Sequence, residues 1–299
     1  MGKKTDKFKS GFVAITGAPN AGKSTLLNRV LGEKISITSK KPQTTRNRIL
    51  GITHREKSQI MFIDTPGVHM AKAQFNIKMV EEALTAIGDV DAILILVDVS
   101  KSDPVSEKFM VSKIIDQKKP VLLGLNKIDI IRKNEILELI DKWSKVYPFE
   151  AIIPISAKHG TQVDDLLTAM ENLLPEGPPL FPEEMLTDMP MRFIVAEMIR
   201  EKVFRLTGQE VPYSTAVIVD DYKEKKKGSL VSINATIHVE RDSQKGIIIG
   251  KGGSKLKKIG EDARMDIERM IGAKVFLKLF VRVQKNWSSD TKALRNLGY

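Results

Sequence analysis

With 299 residues and 42% hydrophobic content, the chain can build two ordinary domains, each with its own core. It has no cysteine, which excludes disulfides, thiolate nucleophiles and cysteine-ligated zinc, and suits a reducing compartment. The formal net charge of +11 is unevenly placed: residues 190–299 hold 22 Lys and Arg against 13 Asp and Glu, net +9, leaving +2 for residues 1–189. A polyanionic partner is therefore expected for the C-terminal half.

The N-terminal MGKKTDKFKS is basic with no apolar run behind it, so it does not read as a signal peptide, and Asp6 stands where a myristoylation pattern wants Ser or Thr. In chain order the strand candidates are FVAIT, RILGIT, QIMFID, AILILVD, VLLGLN and AIIPIS, with helices starting near Lys23, Ala73, Ser106, Asn134 and Val163. Near-continuous Val/Ile/Leu strands alternating with helices predict a mainly parallel, six-stranded sheet with helices on both faces. RILGIT and QIMFID, parted only by HREKS, read as an antiparallel hairpin. The longest aliphatic run, AILILV, is far too short to cross a bilayer, and a soluble protein is expected. Five of the 13 prolines fall in PEGPPLFPEEMLTDMP, residues 175–190, which reads as a linker between domains at 1–174 and 191–299. Beyond it come a helix, Arg192 to Leu206, strands near Ser214–Asp220 and Ser229–Glu240, a glycine loop, a helix and a last strand, Lys274–Val283. The helix RFIVAEMIREKVFRL is strongly amphipathic. It reads as core-facing, with a membrane-associating helix as the alternative. The four histidines, His54, His69, His159 and His238, show no ligand-like spacing and read as loop or surface residues.

Residues 17–24, GAPNAGKS, follow the first strand and open a helix. Gly17 and Gly22 let backbone N–H groups of Ala18, Pro19's neighbours, Asn20 and Ala21 curl around an anion, and the helix starting at Lys23, Ser24 and Thr25 adds its dipole. Lys23 would reach β- and γ-phosphates, and the Ser24 hydroxyl would ligate magnesium. At the end of VLLGL stands Asn126-Lys127-Ile128-Asp129. A carboxylate at Asp129 can accept from N1–H and the 2-amino group of guanine, whereas adenine would leave it unpaired, so GTP and GDP are the expected ligands. Asn126 and Lys127 would brace this loop against the phosphate loop. Ser156, Ala157 and Lys158 follow the next strand and can place an N–H at the guanine oxygen. Between these, Asp64-Thr65-Pro66-Gly67 ends QIMFI. Asp64 is placed to hold magnesium through water and Gly67 to sense the γ-phosphate. One of Thr44 and Thr45, with Thr45 favoured, should complete the metal shell. Loops ordered only by the γ-phosphate would form a switch.

In the basic half, Gly250-Lys251-Gly252-Gly253 follows Ile247, Ile248 and Ile249 and precedes a helix bearing Lys255, Lys257 and Lys258. That is the arrangement of a KH module, whose GxxG loop approaches about four single-stranded nucleotides beside an aliphatic groove. The order of elements fits the type II, prokaryotic variant.

GAPNAGKS, QTTRN, DTPG, NKID and SAK, in this order, resemble a translation-factor-class GTPase. Through EVPYS and the terminal ALRNLGY the resemblance extends over nearly the whole chain to the Era family of bacterial GTPases. It implies GTP hydrolysis with magnesium, RNA binding at the 3′ end of small-subunit ribosomal RNA, and a role in small-subunit assembly, by a cytoplasmic monomer. Membrane-peripheral Era-like proteins give an alternative, a signalling or cell-cycle GTPase on the inner face of the membrane. A third reading is an RNA-binding protein whose nucleotide domain does not turn over. Val68 stands where Ras-like proteins place a water-orienting glutamine and cannot hydrogen-bond a nucleophile, so slow basal turnover is expected. Asn20 is either a turn residue or a ligand for potassium, which related GTPases use to offset charge between phosphates. Lys23, Asn20, Thr45 and Gly67 are the expected catalytic groups.

Overall fold

The computed structural model describes residues 7–38, 46–64, 90–101, 103–115, 117–208, 210–225, 229–288 and 290–297. The helix expected near Ala73 lies outside the described residues, as does His69. The chain divides into two compact units, residues 1–36 with 45–188, and residues 37–44 with 189–299.

In the first unit the elements run β1 (Lys9–Gly17), α1 (Lys23–Leu31), β2 (Ile49–Arg55), β3 (Ser58–Asp64), β4 (Ala92–Asp98), α2 (Pro104–Ile115), β5 (Val121–Asn126), a 3-10 turn (Ile128–Ile130), α3 (Lys133–Ser144), β6 (Ala151–Ile155) and α4 (Val163–Leu173). The sheet order is β2-β3-β1-β4-β5-β6. Only β2 runs antiparallel, against β3, which is the expected hairpin; the other neighbours pair in parallel. Ile93, Leu94, Ile95 and Leu96 are all wholly buried, so both faces of β4 are covered and every position along it favours an apolar residue. Packing of this kind fixes where the strands end, and the functional loops all leave from the carboxyl ends of β1, β3, β4, β5 and β6.

The proline-rich segment differs from the expected linker. Residues 175–188 belong to the first unit and are tied to its sheet. Pro175 and Pro178 cannot donate, but their carbonyls accept from the Ser10 N–H (3.1 Å) and hydroxyl (2.7 Å). The Gln59 side chain bonds Leu180 and Phe181, and the Ile52 N–H donates to Leu186 O at 2.8 Å. β2 is an edge strand, and this strap occupies backbone groups that would otherwise be open to another chain.

The second unit contains α5 (Met191–Leu206), β7 (Ala216–Lys225), β8 (Leu230–Val239), α6 (Asp242–Ile249), a 3-10 turn (Lys251–Gly253), α7 (Ser254–Ile271), β9 (Lys274–Val283) and α8 (Thr291–Asn296). Its sheet order is β7-β8-β9, with β7 antiparallel and β9 parallel to β8. β7 begins two residues later than expected and runs on to Lys225, past a bulge between Val219 and Asp221. The helix expected to be amphipathic is instead buried at every position from Ile194 to Phe204. Its charges are retained because they are paired. The Arg200 guanidinium grips both Glu197 oxygens at 2.6 Å, Lys202 bonds Asp266, and Arg205 meets Glu201 at 2.6 Å. Thr38 belongs to this unit, where its N–H donates to the Glu201 carboxylate at 3.4 Å.

Candidate nucleotide site and nucleic-acid interface

Five strand ends bring the site together. Gly17 closes β1, Asp64 closes β3, Asp98 closes β4, Asn126 closes β5, and Ser156 follows β6. The phosphate loop is Ala18 to Gly22, with the exposed Asn20 in a left-handed turn at φ 66°. Gly22 has φ 102°, and a Cβ there would lie 2.2 Å from the Asn126 amide nitrogen, so the residue type is dictated twice over. Thr25 sits in the first turn of α1. Lys23 is buried, with its ammonium donating to the carbonyls of Gly17 (2.9 Å) and Ala18 (3.1 Å). Burial lowers its pKa to about 8, against the opposing pull of the Asp64 charge.

Asp64 is wholly buried. Its Oδ2 accepts from the hydroxyls of Ser24 (2.9 Å) and Ser36 (3.1 Å), while Oδ1 has no hydrogen-bond partner among the described residues. Burial pushes its carboxyl up, and Lys23, Ser24 and Ser36 act against that shift. A buried carboxylate oxygen left open beside a serine hydroxyl fits a divalent cation with oxygen ligands. Ser24 and Asp64 would hold magnesium here, and the ion would offset charge shared between the β- and γ-phosphates. Thr44, Thr45, Thr65, Pro66, Gly67 and Val68 lie outside the described residues.

The base side of the site rests on Asn126, which is 2% exposed. Its Nδ2 donates to Ala21 O at 2.7 Å, and its Oδ1 accepts the Ala157 N–H at 2.9 Å. The Lys127 backbone is left-handed at φ 73°, and its ammonium pairs with Asp98. Ile128 and Asp129 form the 3-10 turn. Asp129 Oδ1 accepts the Ser156 hydroxyl at 2.6 Å, which holds its carboxyl below the ordinary range, with His159 and Lys158 adding smaller pulls. An anion fixed in this way is a pure acceptor, as guanine recognition requires. The Arg29 side chain reaches from α1 to the carbonyls of Ala157 and Lys158 and latches the last loop.

Several of these residues escape a motif reading. Ser36 and Asp98 are partners of motif residues at sequence separations of 28 and 29, inside no recognisable pattern. Asn28 is another: its side chain caps the turn at Ile35 and Ser36 and thereby places the Ser36 hydroxyl. Asn28 follows Ser24 and Thr25 on the same face of α1, so nothing in the local pattern signals it.

In the second unit Ile249 ends α6, and Gly250, Gly252 and Gly253 have φ of 71°, 59° and 80°. The turn is therefore open to glycine at each of these places, and Lys251 is exposed at its tip. A groove runs from Gly253 along Leu256, Lys257, Gly260 and Arg264 of α7 to Leu277 and Leu279 of β9. Lys255 is half-buried beside the loop, and Lys258 pairs with Asp262 at 2.9 Å. The sequence shows the glycines and lysines; the aliphatic floor supplied by β9 appears only on folding.

The fold and these sites define a P-loop GTPase domain joined to a KH domain. Residues 12–127 match the family model described as 50S ribosome-binding GTPase, and residues 210–288 match the KH domain model. The chain is 56% identical over 294 residues to the GTPase Era of Geobacter sp. (strain M21), covering 98% of each. It superposes at a TM-score of 0.93 on a point variant of Aquifex aeolicus Era bound to GDP·AlF4−, with 42% identity, covering 98% of this chain and 99% of the other. The same score, identity and coverage are found for Era in complex with MgGDPNP and nucleotides 1506–1542 of 16S ribosomal RNA. The chain belongs to the Era family, and it is a GTPase that turns GTP into GDP and phosphate.

Proposed function

We propose that this GTPase is a guanine-nucleotide switch that binds the 3′ end of small-subunit ribosomal RNA through its KH groove during assembly of that subunit. One observation carries the coupling between nucleotide and RNA. The Ser36 hydroxyl bonds Asp64 at the metal position, and the next two residues, Ile37 and Thr38, belong to the unit that carries the KH fold. A change in Asp64 ligation on hydrolysis thus pulls on a segment anchored at α5. The 16S RNA bound to a full-length relative supports the choice of partner.

In this reading Lys23, Ser24 and Asp64 handle phosphates and metal, together with Thr45 and Gly67, while Asp129, Asn126, Ser156 and Ala157 read the base. Gly250 to Gly253, Lys255 and Lys257 meet the RNA backbone. Asn20 supplies a potassium ligand. In this reading the protein works as a monomer, and in the cytoplasm, where its ribosomal partner is assembled. The buried faces of α5 offer no apolar stripe to a membrane, so the membrane-peripheral alternative has no support from that helix. Among the described residues no helix is long and apolar enough to span one.

The test is multiple-turnover GTP hydrolysis measured with and without small subunits, together with sequencing of RNA crosslinked to the protein. Turnover with crosslinks mapping to the 3′ end of small-subunit RNA is expected. Crosslinks spread over unrelated RNA would overturn the reading.

A further inference from the structure

The outer face of the β7-β8-β9 sheet has a composition that its packing does not explain. Along β9, Val275, Leu277 and Leu279 point toward the helices: Val275 is buried, and a Leu279 methyl lies 3.5 Å from where a Cβ on Gly260 of α7 would stand. The alternate positions, Lys274, Phe276, Lys278, Phe280 and Arg282, therefore share the opposite face, and all five are exposed. Phe276 is 59% and Phe280 46% exposed, high values for large aromatic side chains on a strand, and they sit side by side with cations rather than in a core.

We propose that this face is a second RNA-contact surface, on which bases of a single strand emerging from the GxxG groove stack on Phe276 and Phe280. The proposal rests on the RNA-binding reading of the KH groove above. β9 is the edge strand, and Lys278 borders the groove as well as belonging to the aromatic row, so the two surfaces meet along one edge. The rings stand four residues apart, about 13 Å along the strand, and so form two separate platforms. The Lys278 ammonium lies 5.0 Å from the Phe280 centroid, where it can give up the ring to a base and take the attached phosphate.

Charge favours a polyanion at this edge. β9 carries no acidic residue. Directly across from Phe276, Lys278 and Phe280 stand Ser232, Asn234 and Thr236 of β8, uncharged groups able to hydrogen-bond base edges. The acidic residues of the sheet, Asp220, Asp221 and Glu224, all lie on β7 at the far edge, where Asp220 accepts from Thr236 (2.7 Å) and Asp221 pairs with Lys223 (2.9 Å). Basic side chains interleaved with exposed aromatics on a sheet suit single-stranded nucleic acid, which offers both phosphates and π-faces.

The experiment compares two labelled RNAs on the full-length protein by fluorescence anisotropy, one of about five nucleotides that only fills the groove and one of about twelve. Phe276→Leu with Phe280→Leu keeps the face apolar but removes both stacking platforms. The long RNA should bind roughly tenfold more weakly or worse, and the short one unchanged. Phe276→Trp with Phe280→Trp should restore the long RNA. Equal binding of the long RNA by all three proteins would overturn the proposal, as would a wild-type dimer in sedimentation that the leucine variant abolishes, since that would give the face to a second copy. Lys251→Asp with Gly252→Asp separates this from the underlying reading: if both RNAs still bind, the groove itself is not an RNA site.

Discussion

The Asn126 carboxamide donates to the Ala21 carbonyl at 2.7 Å, joining the base-reading loop to the phosphate loop. Because the same side chain also accepts the Ala157 N–H, one buried amide ties together three loops that are far apart in sequence. Asn126→Ala would strand a buried carbonyl and a buried N–H, each at a cost of about 1–3 kcal/mol. GDP affinity measured by titration should fall by about two orders of magnitude or more. Asn126→Asp keeps an acceptor for Ala157 but no donor for Ala21, and it should retain part of the loss without recovering wild-type binding.

Asp129 is held anionic chiefly by the Ser156 hydroxyl. Asp129→Asn would donate where the carboxylate accepted, so preference should move from GTP toward XTP in competition binding. An unchanged GTP/XTP ratio would remove Asp129 from the base-reading role. Ser156→Ala should weaken GTP binding with a smaller loss of base preference, since the carboxylate remains.

Burial lowers the Lys23 pKa to about 8 in the folded protein, from 10.5 in the unfolded chain. Burial of the ammonium thus costs stability below about pH 8, and that cost disappears as the pH rises through 8 toward 10.5. Phosphates favour the charged form, so nucleotide binding should take up a proton above pH 8, and GDP affinity should decline by up to tenfold per pH unit there. Calorimetry in buffers of different ionisation enthalpy measures the uptake. Binding that is proton-neutral at pH 9 would show that Lys23 is already charged in the empty site.

Turnover without an activator should be slow, on the order of 10⁻⁴ to 10⁻³ s⁻¹ or within a decade or two of it, and faster in potassium than in sodium. Val68→Ala should change it little, whereas Asn20→Ala should remove the difference between the two cations. Phosphate release under single-turnover conditions decides both points. A large loss with Val68→Ala would mean that this side chain positions water.

RNA affinity across a salt series tests the groove. Lys251→Asp with Gly252→Asp places charge and bulk at φ 59°, where the backbone must approach, and should lower both the affinity and the salt slope, by about 0.7 per lost phosphate contact. Guanine-nucleotide binding should be unaltered.

GAPNAGKS, NKID and SAK were readable because each motif is local, with the phosphate loop, base reader and lid each formed by a few consecutive residues at a strand end. The inner strands were readable because burial on both faces demands unbroken apolar runs, as in AILILV. The strap at 175–188 was not, since prolines announce only that regular structure stops, and a carbonyl acceptor looks the same at any residue. α5 is core-facing as expected, but its amphipathic reading failed for a related reason: a charge reads as a solvent face unless its partner is known, and the Asp266 that answers Lys202 lies 64 residues away.

By itself the sequence determined the class of ligand, the order of elements and the two-part plan of the chain, because dipeptide geometry, hydrophobic period and local charge are all short-range properties. The tertiary structure alone decided which polar groups complete the site. Ser36 on Asp64, Ser156 on Asp129 and Asp98 on Lys127 are meetings of separate loops at the sheet's carboxyl edge. It also decided that Phe276 and Phe280 face water. Strand alternation puts them on one side, but which side is covered depends on where α5 and α7 pack.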